Sequence, residues 1–512
     1  MSSPPSQGSR APSPEGQQRS EPPNREALNQ MILGLGKTYL STQRITADGA
    51  ADESSPLLPQ PAATRAEKIP KTRAAVWTVL TTVFAVSLVF LLGFPQLLPD
   101  ALAPLVGRLP KDPMRAALLV LDNAPVIDGH IDLPILLRSA FANNVSSVDL
   151  SKEFVGHVDI PRLRQGKVGG FFWYARRVPF TLLAEFPQVC LRRLRKARTR
   201  GGRFPYFHLA CPDNSDTLEQ IDVARLTIDK YPDVFQVALG SEDIKDAIGK
   251  GKIASLLGVE GGHQLGNSIA VLRQYHSLGV RYVTLTHTCH NAFADSCGMA
   301  PGMIPLHGGL SAIGLRLIDE MNRLGVLVDL SHTSDATATQ ALKYSKAPVI
   351  WSHSSARAVH DVPRNVPDDI LALIGTGEGQ TDAVVMVNFA PFFVADPGNA
   401  TVYTVADHVE HIAKVAGKNH VGLGSDYDGI DSTPIGLEDV SKYPALFAEL
   451  YTRGWNKHEL AGLAGANLLR VFEGAEKVSK NLRVANTPPV FDIYHKRQDM
   501  PLRLRRLQAF LQ

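Results

Sequence analysis

A chain of 512 residues, 44% hydrophobic and 20% charged, is long enough to bury a sizeable core and too apolar to be disordered throughout. Lys and Arg total 53 against 50 Asp and Glu, a net charge of only +3, so composition gives no sign of a nucleic-acid binder. The basic clusters at 192–203 and 503–506 read as solvated faces.

Residues 1–73 are rich in Ser, Pro, Gln and Ala, lack an apolar period, and predict a disordered tail. Residues 74–94 then run without a charge, enough to span a bilayer at about 1.5 Å per residue. A cleaved signal peptide is the competing reading, but it would occupy roughly the first 15 to 30 residues. Arg65, Lys68, Lys71 and Arg73 crowd the N-terminal side of this segment, whereas 95–104 carries Asp100 and no cation. The positive-inside rule therefore predicts a single-pass type II membrane protein, with a cytosolic tail and everything beyond the anchor lumenal, vacuolar or extracellular. Glu53-Ser54-Ser55-Pro56-Leu57-Leu58 matches an acidic dileucine sorting signal, a pattern that also arises readily by chance. Asn144-Val145-Ser146 and Asn399-Ala400-Thr401 are glycosylation acceptors compatible with export. The C-terminal stretch lacks the hydrophobic tail of a GPI anchor. Cys190, Cys211, Cys289 and Cys297 all follow the anchor, and an even number in an exported domain suggests one or two disulfides, with buried free thiols as the alternative. The expected organisation is completed by a linker at 95–119, a catalytic domain at 120–480 and a C-terminal extension at 481–512.

Within that domain eight short apolar runs recur, at 126–132, 169–173, 253–260, 280–287, 326–332, 349–353, 384–388 and 421–426. Two-sided apolar runs separated mostly by helix-like segments are the pattern of buried parallel strands. All but the second end in a polar residue that binds metal or handles substrate, and the C-terminal strand ends are where a (β/α)8 barrel places its chemistry. The predicted fold is therefore α/β, a (β/α)8 (TIM) barrel with a dinuclear metal site.

Asp128-Gly129-His130-Ile131-Asp132 ends the first run, and a strand's period of two sends His130 and Asp132 to one face, where they can ligate one ion. Glu260 ends the third run beside Gly261 and Gly262; a carboxylate buried there requires either a salt bridge or a metal. His332 and His353 close two successive runs and can hold a second ion, with Glu260 between the pairs in strand order and able to bridge. Imidazole and carboxylate without cysteine suit zinc in a hydrolytic role. Two ions about 3.5 to 4 Å apart would share a hydroxide and lower the pKa of its parent water towards 7. Asp426, ending the last run, is the candidate for proton transfer, with Asp428 as its rival. His287, ending the fourth run, is a candidate oxyanion donor or a further ligand.

The stretches Val126-Ile127-Asp128-Gly129-His130, Asp159-Ile160-Pro161-Arg162-Leu163, Gly258-Val259-Glu260-Gly261-Gly262-His263, Ser352-His353-Ser354-Ser355, Arg364-Asn365-Val366-Pro367-Asp368-Asp369 and Leu437-Glu438-Asp439-Val440-Ser441-Lys442-Tyr443-Pro444 resemble the membrane (renal) dipeptidases of the amidohydrolase superfamily, over about 120–478. The resemblance implies a (β/α)8 barrel, two zinc ions per chain, and dipeptide substrates that include dehydropeptides and those with a C-terminal D-residue. It places His130, Asp132, Glu260, His332 and His353 on the metal positions, His287 on a substrate-binding histidine, Asp426 on the proton-transferring aspartate and Arg364 on the arginine that takes the substrate's terminal carboxylate. It also implies a Cys211–Cys289 disulfide, leaving Cys190 and Cys297 as extras, and homodimers are usual in the family. A bidentate guanidinium fork suits a carboxylate.

Two departures stand out. Asn388-Phe389-Ala390-Pro391-Phe392-Phe393 lacks the tyrosine that often lines the family's substrate cleft, and an insertion around 375–381 lengthens the preceding loop. Other dinuclear amidohydrolases, such as a lactonase or a deaminase, would share the ligands but have no need of Arg364. A non-catalytic binding protein on the same barrel would have no need of intact ligands.

Overall fold

The computed structural model describes residues 71–93, 108–175, 214–298 and 302–495. The tail, most of the linker, Cys190, Cys211 and both basic clusters lie outside the described residues. A helix covers Lys71–Gly93, where the uncharged segment predicts one. Its side chains are described from 75 to 86, all exposed, including Trp77, Leu80 and Phe84. Among the described residues no helix is long and apolar enough to cross a membrane.

Among the described residues the barrel domain is built on nine parallel strands: β1 (Val126–Ile131), β2 (Val168–Ala175), β3 (Phe235–Val237), β4 (Ile253–Glu260), β5 (Val280–Thr284), β6 (Leu327–Asp329), β7 (Val349–Trp351), β8 (Ala383–Val387) and β9 (Val421–Leu423). Eight follow the order β1-β2-β4-β5-β6-β7-β8-β9, while β3 pairs only with β4. The ring is nearly closed by a parallel bridge between Ile131 and Tyr427, with the Asp426 amide donating to the His130 carbonyl at 3.0 Å. Each of the eight apolar runs coincides with one barrel strand. The extra strand, β3, is three residues long, too short for any period to register in the sequence.

Side chains alternate as the strand period dictates. Phe172, Ala254, Leu256, Tyr282, Leu327, Ile350, Val384 and Met386 fill one cluster inside the barrel. Their neighbours Phe171, Ile253, Leu257, Val283, Val328, Val349 and Val385 join the larger cluster beneath the helices. Carried one step further, the inward rows end on Glu260, Thr284, Asp329, Ser352 and Asn388, so polar groups enter the barrel only at its C-terminal mouth.

Ordered structure also precedes β1. A helix at Pro113–Asn123, capped by Asp112, buries Ala116, Ala117 and Leu121, and Tyr451 donates to the Pro110 carbonyl at 3.0 Å. At the other end the first part of the extension is tied down. Val490 is buried, its amide donates to Glu320, and its carbonyl accepts from Arg273.

Candidate metal centre

The strand ends bring His130, Asp132, Glu260, His287, His332, His353 and Asp426 together, all buried. Their donor atoms converge in three groups, each within 4.8 Å: His130, Glu260 and His353; Glu260, His287 and His332; and His130, Asp132 and Asp426. Glu260 belongs to two groups, as a bridging carboxylate must. Its Oε1 lies 2.8 Å from Nε2 of His332 and 3.3 Å from Nε2 of His353, and its Oε2 lies 3.5 Å from Nε2 of His287. Nε2 of His130 is 3.3 Å from Asp132 Oδ2 and 3.7 Å from Asp426 Oδ1.

Two observations make this a candidate site for cations. Burial pushes the Glu260 carboxyl well above its ordinary value, and the buried Asp132 and Asp426 push it further, against Arg364 alone among its larger influences. The cluster is thus short of positive charge. In addition, the Nε2 atoms of His332 and His353 lie 3.2 Å apart and both lie within 3.3 Å of Glu260 Oε1, so three donor atoms converge on one small volume. Imidazole and carboxylate donors without thiolate fit a borderline metal such as zinc.

The backbone is shaped to present these groups. His332 and Asp426 have φ of +63° and +67°, a conformation costly for residues with a Cβ and one that persists where the surroundings enforce it. Gly429 approaches so closely that an added Cβ would lie 1.9 Å from Asp132 Oδ2 and 2.7 Å from Asp426 Oδ1. Asp426 is further held by Asn388, whose Nδ2 donates to Oδ2 at 3.0 Å while its own Oδ1 accepts from the Ala390 amide. That second bond settles which way the amide faces and leaves Asp426 Oδ1 turned towards His130.

The other expected residues separate cleanly. Asp428 sits outside the donor cluster: its Oδ1 accepts from the His157 amide at 2.6 Å, and its own amide donates to His157 Nδ1 at 2.9 Å. It holds a loop in place. His287 is within reach of Glu260 and His332, so the geometry also makes it a possible ligand. Arg364 is buried, donates to Ser354 Oγ at 2.6 Å and to the His353 carbonyl at 2.8 Å, and has its Nε unbonded. It makes no salt bridge among the described residues, and burial lowers its pKa. A buried guanidinium beside the donor cluster without an ion pair is a ready anion site.

Of the expected disulfide, Cys211 lies outside the described residues; Cys297 carries a free thiol, which burial pushes up in pKa. Sequence reasoning assigned no role to Asp128, Asp329, Ser352 or Tyr443, and to Asn388 only the general one of a run's polar end. Asp128 joins the first strand to the last: it accepts from the His130 and Ser425 amides and from Tyr443 Oη at 2.5 Å. Burial nevertheless raises it to about 6. The available signal is an acid or hydroxyl inside an otherwise apolar run, as at Asp329 in Val326-Leu327-Val328-Asp329-Leu330.

A nearly closed parallel barrel with histidines and carboxylates converging at its C-terminal mouth is an arrangement that suits a metal-dependent hydrolase. Residues 114–486 match the family model of the membrane dipeptidases, peptidase family M19, and the chain belongs to that family of metal-dependent dipeptidases. It is 44% identical over 380 residues to an uncharacterized dipeptidase of Schizosaccharomyces pombe, covering 74% of this chain and 87% of the relative. It is 38% identical over 408 residues to the dipeptidase verJ of Clonostachys rogersoniana, covering 78% and 97%. Among solved structures it resembles a Rhodobacter sphaeroides metallopeptidase liganded with a phosphinate mimic of L-Ala-D-Ala, with a TM-score of 0.59, 26% identity and 68% and 99% coverage. It also resembles the M19 dipeptidase AC, with a TM-score of 0.58, 26% identity and 69% and 99% coverage.

Proposed function

We propose that the chain is a dinuclear zinc dipeptidase that hydrolyses dipeptides with a free C-terminal carboxylate, including those whose second residue is a D- or dehydro-residue. The observation that carries this reading is Arg364, a buried cation with no carboxylate partner among the described residues, set against the edge of the converging donors. The L-Ala-D-Ala mimic bound by the Rhodobacter relative supports the D-residue part. His130, Asp132, Glu260, His332 and His353 would hold two zinc ions, Glu260 bridging. When bound, the ions supply Lewis acidity and an acidified water. Arg364 orients the dipeptide by its carboxylate, Asp426 takes a proton at Oδ1 and returns it to the leaving amine, and His287 stabilises charge on the carbonyl oxygen. A lactonase or deaminase would leave Arg364 without a task.

Acid and amide forms of one dipeptide test this. The native enzyme should cleave the acid far faster, and Arg364→Ala should narrow the gap, since losing a charge-assisted bond costs on the order of 1.5 to 3 kcal/mol. Equal cleavage of acid and amide by the native protein overturns the dipeptidase assignment in favour of a broader amidohydrolase.

We further propose a type II topology, with 74–94 as the anchor and the barrel lumenal, vacuolar or extracellular. Two sequence observations support it: the charge asymmetry of the flanks and the uncharged run over 74–94. Asn144 and Asn399, both exposed, are then open to glycosylation. Protease added to sealed microsomes should trim the tail and spare the barrel; digestion of the barrel in intact vesicles inverts the topology.

A further inference from the structure

A histidine that gives one ring nitrogen to a metal must place the proton of the other, and whatever accepts that proton fixes the tautomer. His353 aims Nε2 at the donor cluster, and its Nδ1 lies 2.8 Å from Ser352 Oγ. That hydroxyl lies 2.6 Å from Oδ2 of Asp329. Asp329 is wholly buried at the end of β6 and takes three more donors: Thr284 Oγ1 at 2.5 Å, the Ser331 amide at 3.0 Å and the Ser352 amide at 2.8 Å. A carboxylate surrounded by donors acts as acceptor only, so the Ser352 hydroxyl gives its hydrogen to Asp329 and turns its lone pairs to His353. The proton must then sit on Nδ1, which leaves the Nε2 lone pair for a metal.

His130 has a relay of another kind. Its Nδ1 is 3.2 Å from Tyr282 Oη, which donates to the Gly129 carbonyl at 3.1 Å. This chain ends on an uncharged carbonyl, whereas that of His353 ends on an anion held by β5, β6 and β7 together. An anion at the end of the chain raises the basicity of the ligating nitrogen.

We propose that Asp329 and Ser352 are positioning residues that lock His353 as its Nδ1–H tautomer and thereby set how tightly the centre holds metal. The proposal rests on the dinuclear reading above, and it goes beyond that reading in assigning control of metal retention to two residues that touch neither metal nor substrate.

The test uses the full chain loaded with zinc and follows zinc release to a chelator, final zinc content, and the melting temperature of the zinc-free protein. Ser352→Ala should weaken zinc retention about 10- to 100-fold while the zinc-free protein melts as the native does. Asp329→Asn, which keeps the volume and loses the charge, should weaken it in the same direction. Tyr282→Phe should have the smaller effect. The proposal is overturned if Ser352→Ala and Asp329→Asn release zinc at the native rate. It is equally overturned if their weaker retention is matched by a lower zinc-free melting temperature, which marks general damage. A native protein that takes up no zinc instead brings down the dinuclear reading, and this proposal with it.

Discussion

Asp426→Asn is expected to leave zinc content at the native level and to lower kcat by roughly 10²- to 10⁴-fold, the worth of a positioned proton-transfer group. The amide is nearly isosteric, and the bond from Asn388 Nδ2 to Oδ2 can persist to the retained side-chain oxygen. What is lost is the basic oxygen facing His130. The measurement is metal content beside steady-state rates on one dipeptide. Asp426 also groups with His130 and Asp132, so a variant that loses zinc identifies it as a ligand and removes its proposed role. Asp428→Asn is the control: its carboxylate serves the His157 amide, so stability should suffer and turnover much less.

Glu260→Gln is expected to abolish zinc binding and activity together, while the zinc-free variant is no less stable than the zinc-free native protein. Native protein purified without chelator should hold about two zinc ions, because five donors with a bridging carboxylate exceed one tetrahedral site. The sign of the stability effect follows from the carboxyl's position. Its folded pKa is raised above the ordinary 4.5, so without metal the folded state holds a proton that the unfolded state releases. Stability of the zinc-free native protein should therefore fall as pH rises past that value, and the glutamine variant should lack this component. Zinc added to the native protein should raise its melting temperature, as for any ligand of the folded state, and should do so much less for the variant. Full zinc loading of Glu260→Gln excludes the bridging assignment.

Much of this was legible beforehand for a definite reason. A strand buried on both faces must be apolar along its length, so each of the eight barrel strands shows as a run. A polar residue at the end of a run, where it reaches the barrel mouth, stands out against that background, so Glu260, His332, His353 and Asp426 announce themselves by position. The strand β3 escapes because three residues carry no period. The helix at Pro113–Asn123 escapes because its burial is against Tyr443–Thr452, more than 300 residues away in the chain.

The chain's local chemistry by itself determined the eight barrel strands, the parallel architecture and the types of the candidate ligands, since these depend on which side chains survive burial and on a period of two. Only the tertiary structure decided between neighbours of equal chemistry. Asp426 and Asp428 are both acids two residues apart with φ near +65°, yet one faces His130 and the other the His157 amide. Asp329 reads as a flaw in an apolar run until Thr284 and Ser352 are brought to it from the two neighbouring strands. The physical reason is that a buried polar group's role is set by which partners satisfy it, and those partners lie far off in sequence and meet only when the barrel closes.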